Sequence, residues 1–139
     1  RIIKIVEFSK SKPSLPIAVF KPTGFGRFSL YEKKSNKTPL TELEKFEWSR
    51  IEARFDKVCQ CAFEENVEVL IDAEESWMQD AADELIEKMM MRYNKNNVIV
   101  FNTLQTYRWD RLDYLKAIHN RAQKWIFKIG VKIVRGAYM

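Results

Sequence analysis

Apolar residues fall along this chain in short solid runs separated by longer, helically spaced stripes. The runs are Ile17 to Phe20, Val67 to Ile71, and those inside "NNVIVFNTLQ" and "VKIVRGAY". A run with no apolar–polar alternation marks a strand buried on both faces, the habit of parallel sheets. Between the runs the period lengthens. Thr38 precedes Pro39, well placed at a first helical position, and Thr41 with Glu44 fits a capping box. The stripe Leu43, Phe46, Ile51, Phe55, Val58 and Ala62 then predicts a long helix with those residues inward. Ser76 and Gln79 match a second capping box, opening a helix to about Arg92 with Ala82, Leu85, Ile86 and Met89 inward. Asp110 is placed to cap a third helix, which carries Leu112, Leu115, Ile118, Ala122, Trp125 and Ile129 and is stopped by Gly130 at C′. Residues 2 to 9 read as the tail of a helix or an apolar lead-in, and "FGRFSLYEKKSNKT" as a loop anchored by aromatics.

The order is therefore β-α-β-α-β-α-β. Such alternation implies right-handed crossovers and a parallel sheet. Each strand gives way to polar residues: Lys21, then Asp72 and Glu74, then Asn102 and Gln105, then Arg135. In barrels and in doubly wound sheets alike, functional groups sit at those C-terminal ends. No glycine-rich phosphate loop follows any strand, which favours a barrel over a nucleotide-binding doubly wound sheet. The expected fold is α/β, a (β/α)₈ TIM-type barrel with only about its first four strands present. Residues 1–139 are expected to form a single, incomplete catalytic domain.

Composition narrows the classes of partner. The chain is 46% hydrophobic and 31% charged, ordinary for a folded globular domain. A net charge of +5 permits an anionic partner, but acids interrupt the cations throughout, as in "LTELEKFEWSRIEARFDK", so no basic run tracks phosphates and nucleic-acid binding is not expected. Cys59 and Cys61 lie on different sides of a helical pattern and read as packed thiols of a reducing compartment. With His119 the single histidine, no metal site is expected. No stretch approaches the roughly 20 apolar residues of a membrane span. "RIIKIVEF" carries no signal peptide, and its abrupt start suggests that the natural N-terminus lies further upstream.

The strand ends define the candidate chemistry. Lys21 emerges from an apolar strand, either as a binding cation or as a lysine snorkelling at a sheet edge. Asp72 follows another buried strand, where a carboxylate is costly unless paired. Glu74 either shares its direction or caps the next helix. Asn102 and Gln105 carry amides suited to the edge of a planar heterocycle, or simply belong to a polar loop. Arg135 with Gly136 offers a guanidinium for phosphate or carboxylate beside a backbone that a ligand can approach closely.

Together "VFKPTGFGR", "LIDAEES", "FNTLQTYRWD" and "KIVRGAYM" resemble the proline dehydrogenase family across residues 15 to 139, in the family's order and spacing. The resemblance implies a distorted (β/α)₈ barrel that holds FAD noncovalently over the strand ends. It implies oxidation of L-proline to Δ1-pyrroline-5-carboxylate by hydride transfer from C5 to the flavin, with electrons passed to a membrane quinone. It also implies residue roles. Lys21 matches the strand-one lysine that pairs with the proline carboxylate, an orienting contact. Asp72 matches the strand-two aspartate near flavin and substrate, holding Lys21 and neighbouring donors. Ala73 would lie against the cofactor, and Asn102 falls where the family has a glutamine or asparagine on the flavin ring. Lys132 stands where many bacterial members have an arginine, and a cation there would stabilise the anionic reduced flavin. Arg135, Gly136 and Ala137 match the segment that wraps the FAD, with Tyr138 a nearby contact.

Asn102 and Lys132 depart from the bacterial glutamine and arginine and look closer to the branch that includes eukaryotic enzymes. The family's later segments, which complete the carboxylate site and the FAD cradle, do not appear in this sequence. Alone, the chain is expected to bind FAD weakly or not at all and to be inactive. The implied location is bacterial cytoplasm with peripheral inner-membrane contact, or the matrix side of the mitochondrial inner membrane. Two other readings stay open from the residues themselves: a barrel lyase with a phosphate site at Arg135 and Gly136, and a non-enzymatic basic α/β binding module.

Overall fold

In a computed structural model of the chain, residues 3–4, 6–7 and 17–135 are described. Four strands, β1 (Ile17–Phe20), β2 (Glu68–Ile71), β3 (Val100–Gln105) and β4 (Val131–Val134), form one sheet in the order β1-β2-β3-β4. Every neighbouring pair is parallel. Helices α1 (Phe28–Ser35), α2 (Glu42–Glu65), α3 (Ser76–Tyr93) and α4 (Arg111–Trp125) follow in chain order, with a short 3-10 turn at Pro22–Gly24 after β1. Sequential parallel neighbours are the order of a barrel wall; a doubly wound sheet reverses direction at its first strand.

The core lies between the sheet and the helices. Ala18, Phe20, Val69, Ile71 and Val100 turn inward to meet Ile51, Phe55 and Val58 of α2 and Leu85, Ile86 and Met89 of α3. Phe20, Phe25 and Phe55 form its aromatic centre, with ring centroids 4.9, 4.9 and 5.9 Å apart. Tilted and edge-on contacts of this kind add to the burial of area. Strand alternation sends Val19, Leu70, Thr103 and Lys132 to the opposite face.

β3 serves two neighbours in turn. It pairs with β2 through Val100 and Phe101 only, and with β4 through Asn102 to Gln105. The fully buried Asn94, just past α3, braces its start. Its amide oxygen accepts from the Ile99 and Val100 N–H groups at 2.9 Å, and its amide nitrogen donates to the Val100 and Lys128 carbonyls at 2.9 and 3.0 Å. Four backbone groups that would otherwise be buried and unpaired are thereby satisfied.

Several sequence expectations are met and several corrected. The strands fall as expected, and Thr41 with Glu44 forms the expected capping box in both directions. Leu43 and Phe46, expected inward, are 83% and 63% exposed. At about 100° per residue they sit about 80° and 140° away from Ile51, whereas Glu44 is nearly in phase with it and is buried. The segment read as a loop contains α1, which is too short to stand alone but buries Leu30 and Tyr31. Ser76 does not cap α3; the helix starts after Glu75 without a side-chain cap, and Gln79 bonds Asp83 instead. Asp110 is the N-cap residue of α4 but caps nothing with its side chain, which pairs with Arg108 and Arg111. Nor does Gly130 stop that helix. Ile126 does so in a left-handed conformation, φ 55°. Gly130 is small because a Cβ there would lie 2.5 Å from Val98 Cγ1 and 2.8 Å from the Val100 carbonyl oxygen. Cys59 is buried and Cys61 half-buried, both are free, and burial pushes both thiols up.

Two measurements check this packing. Phe55→Ala empties the centre of the aromatic cluster and is expected to cost about 3–5 kcal/mol in urea unfolding; a loss below about 1 kcal/mol would contradict a close-packed site. The second concerns acid. The Lys33 ammonium, 2.7 Å away, and the Thr41 N–H hold the Glu44 carboxyl down to about 2. A carboxyl depressed in the folded state stabilises it above the usual carboxylate range, and that contribution is lost as pH falls through the folded value. Glu44→Gln is therefore expected to flatten the decline of the urea midpoint between about pH 4.5 and 2. An acid limb identical to that of the unaltered chain would show that Glu44 plays no part in it.

Candidate active site

At the C-terminal ends of β2 and β3, side chains replace main-chain pairing. Glu74, two residues past Asp72, accepts from the Thr23 N–H at 3.0 Å and from its hydroxyl at 2.7 Å. The carbonyl of Glu74 accepts from the Gln105 amide at 3.3 Å. These bonds tie the ends of β1, β2 and β3 together. Glu74 thus neither caps α3 nor faces an open site; its carboxylate is committed to Thr23.

Asp72 is the carboxylate left facing the open side. Its Oδ1 lies 3.5 Å from Lys132 Nζ and 3.5 Å from the Thr103 hydroxyl. Both partners of the Asp72–Lys132 pair are partly solvated, so the contact is loose and either group can turn to a ligand. Lys21 ends β1 with extended backbone, φ −114° and ψ 143°, and is exposed on the same side by alternation with Phe20. Ala73 is half-buried beside Asp72, and Arg135 is exposed after β4. Gly136, Ala137 and Tyr138 lie outside the described residues.

Asn102 is elsewhere. It lies three positions before Gln105, so the two amides leave β3 on opposite faces. Gln105 and Thr103 share the side of Asp72 and Lys132. The Asn102 side chain turns back into the helix layer, buried, and donates to Asp83 Oδ1 at 2.9 Å. There Asp83 also accepts from Gln79 at 2.8 Å and, through Oδ2, from Arg111 at 2.8 Å. Burial raises the Asp83 carboxyl, against the pull of the Arg111 guanidinium and the two amides, and Arg111 is itself raised by this partner despite its own burial. The expected contact of Asn102 with a bound ring is thus replaced here by a structural bond to α3. The sequence held the clue in its odd spacing. Thr103 carried no such clue, because a threonine in a strand is ordinary.

A four-strand parallel wall with cations, a carboxylate and an amide at its C-terminal rim is an α/β architecture, part of a (β/α)₈ barrel. The chain belongs to the proline dehydrogenase family, whose model matches residues 5–139. It is 36% identical over 137 residues to the carbapenem antibiotics biosynthesis protein CarD of Pectobacterium carotovorum subsp. carotovorum, covering 99% of this chain and 36% of that protein. It is 36% identical over 130 residues to the mitochondrial proline dehydrogenase 1 of Dictyostelium discoideum, covering 90% of this chain and 23% of that one. Among solved structures, proline utilization A from Bdellovibrio bacteriovorus, inactivated by N-propargylglycine, superposes with a TM-score of 0.75 at 16% identity. The match covers 99% of this chain and 15% of that structure, and at this identity it speaks to the fold. The chain thus spans about a third or less of these relatives.

The Asp83–Arg111 pair gives this site's testable support. Arg111→Ala strands a buried carboxylate and is expected to cost about 3–5 kcal/mol in urea unfolding. Arg121→Ala, which removes a partly solvated bidentate contact to Glu87, is expected to cost about 1 kcal/mol or less. Equal losses for the two variants would contradict the assignment of Arg111 as the partner of a desolvated charge.

Proposed function

We propose that the protein of which this chain forms part oxidises L-proline to Δ1-pyrroline-5-carboxylate with FAD as cofactor, and passes the electrons to a quinone. Family membership supports the reaction class. The observation that carries the residue assignment is the convergence of Asp72, Lys132 and Thr103 at one strand-end opening, with Lys21 on the same side.

The donor set fits the cofactor. A flavin ring needs a donor–acceptor edge and a cation near the atoms that gain charge on reduction; the exposed Lys132 and, on the same face, the buried Gln105, whose amide nitrogen now donates to the Glu74 carbonyl, carry those groups. Bound FAD would supply the two-electron acceptor that this all-protein rim lacks. Lys21 would hold the proline carboxylate and so orient the ring, a positioning contribution to rate. Asp72 would keep the neighbouring cations in place, shifting its contact with Lys132 as the ligand arrives. Lys132 would then stand as a fixed positive charge where negative charge develops. Ala73 would lie against the cofactor, and Arg135, Gly136 and Ala137 along it, with Gln105 taking the role that the sequence alone gave to Asn102. Among the described residues no helix is long and apolar enough to cross a membrane.

The test is an anaerobic absorbance spectrum of the full-length parent protein before and after L-proline. A visible flavin band that bleaches with proline is expected. A flavin band that ignores proline would overturn the substrate, and the absence of flavin would overturn the cofactor. In the same protein Lys21→Met is expected to raise KM for proline about tenfold with little change in kcat, as loss of a carboxylate contact would; an unchanged KM would remove Lys21 from the substrate site.

A further inference from the structure

The main-chain ladder between β2 and β3 stops one bond short of where its register would carry it. Leu70 pairs with Phe101, and the Val69 N–H reaches the Ile99 carbonyl at 2.8 Å. In a parallel ladder with that register, the next donor to the Ile71 carbonyl is the Thr103 N–H. That bond is not made. The Thr103 N–H is taken by the Asn102 side-chain oxygen at 2.7 Å, and the Ile71 carbonyl is taken by the Thr103 hydroxyl at 3.0 Å. Two side chains thus satisfy the two groups that would have closed the sheet. All of this is buried, where an unmade bond would be costly, so the substitution is fully compensated.

The exchange is anchored from behind. The Asn102 nitrogen is held by Asp83, and Asp83 by Arg111. The amide of Asn102 is therefore fixed with its oxygen toward the Thr103 N–H. On the open face the same Thr103 hydroxyl reaches Asp72, which contacts Lys132.

We infer that Asn102 and Thr103 are positioning residues that keep β2 and β3 apart beyond Leu70 and Phe101, and that this gap sets Asp72 against Lys132. The inference rests on the proposed function for its catalytic consequence, but not for its structural one. Removing the hydroxyl leaves the Ile71 carbonyl without its donor, and removing the Asn102 side chain leaves the Thr103 N–H without its acceptor; either loss frees this end of β3 and draws Asp72 away from its setting.

Thr103→Val keeps shape and removes the hydroxyl; Thr103→Ser keeps the hydroxyl. In the flavin-loaded full-length protein, Thr103→Val is expected to slow proline-driven bleaching of the flavin at least about tenfold, with KM for proline within about threefold. Thr103→Ser is expected to restore most of that rate. Amide hydrogen exchange of the full-length apoprotein supplies the second readout. Asn102→Ala is expected to speed exchange at Thr103 at least about tenfold while Ile99 to Phe101 stay protected. A Thr103→Val enzyme with unaltered kinetics per bound flavin would overturn the inference, as would Asn102→Ala exchange that rises evenly along β3. If the unaltered protein's flavin ignores proline, the proposed function fails by itself, and the exchange experiment still decides whether the gap is held as described.

Discussion

The carbonyl of Ile71 needs a donor, and what it receives decides the shape of this end of the molecule. A backbone N–H would have zipped β2 to β3 through to their ends. A threonine hydroxyl satisfies the same oxygen from a side chain and leaves the strands apart. Buried polar groups must be paired, so the opening persists only because each group along its edge has found another partner. Asn102, Thr103, Gln105 and Glu74 are those partners. The same side chains that satisfy the backbone form or support the candidate site, so structure and chemistry there rest on a common set of bonds.

Behind the opening, the helix layer supplies rigidity. The Asp83–Arg111 pair joins α3 to the start of α4 and receives Asn102 from β3, while Asn94 clamps the entry to β3 and the approach to β4. Bonded on several sides, such groups have few alternative arrangements, which suits a rim whose cations must face a ligand at fixed places. The outer helix contacts, Lys88–Glu52, Arg92–Asp56 and Arg121–Glu87, are partly solvated and contribute less. The aromatic centre of Phe20, Phe25 and Phe55 does the bulk of the hydrophobic work beneath β1.

Much of this was legible in the sequence because parallel strands write themselves plainly. Val69 to Ile71 and Ile17 to Phe20 are apolar throughout, and a polar residue straight after each run announces a strand end. Helix α2 was legible in its start, through Thr41 and Glu44, but not in its whole face. Hydrophobicity alone draws Leu43 and Phe46 inward, whereas helical phase puts Glu44 there, where Lys33 and the Thr41 N–H offset the cost of burying its charge. The end of α4 misled for a similar reason. Glycine is the usual left-handed terminator, yet Ile126 takes that conformation and Gly130 is small for packing. Of the rim, Lys21, Asp72 and Lys132 are legible as candidates from position and family resemblance, and the structure brings Asp72 and Lys132 within 3.5 Å. Strand parity separates the two amides of β3, and Asn102 is the one that turns into the helix layer toward Asp83. Thr103 was invisible, because its importance lies in a bond that the main chain does not make.

The most direct test of the account is a crystal structure of the full-length parent protein with its cofactor and an unreactive proline analogue. The flavin ring is expected over the opening between β2 and β3, with Gln105 and Lys132 within hydrogen-bond reach, Lys21 on the analogue's carboxylate, and the Thr103 hydroxyl still on the Ile71 carbonyl. A flavin bound away from that opening, or a sheet zipped closed through Thr103 beneath a bound ligand, would contradict it.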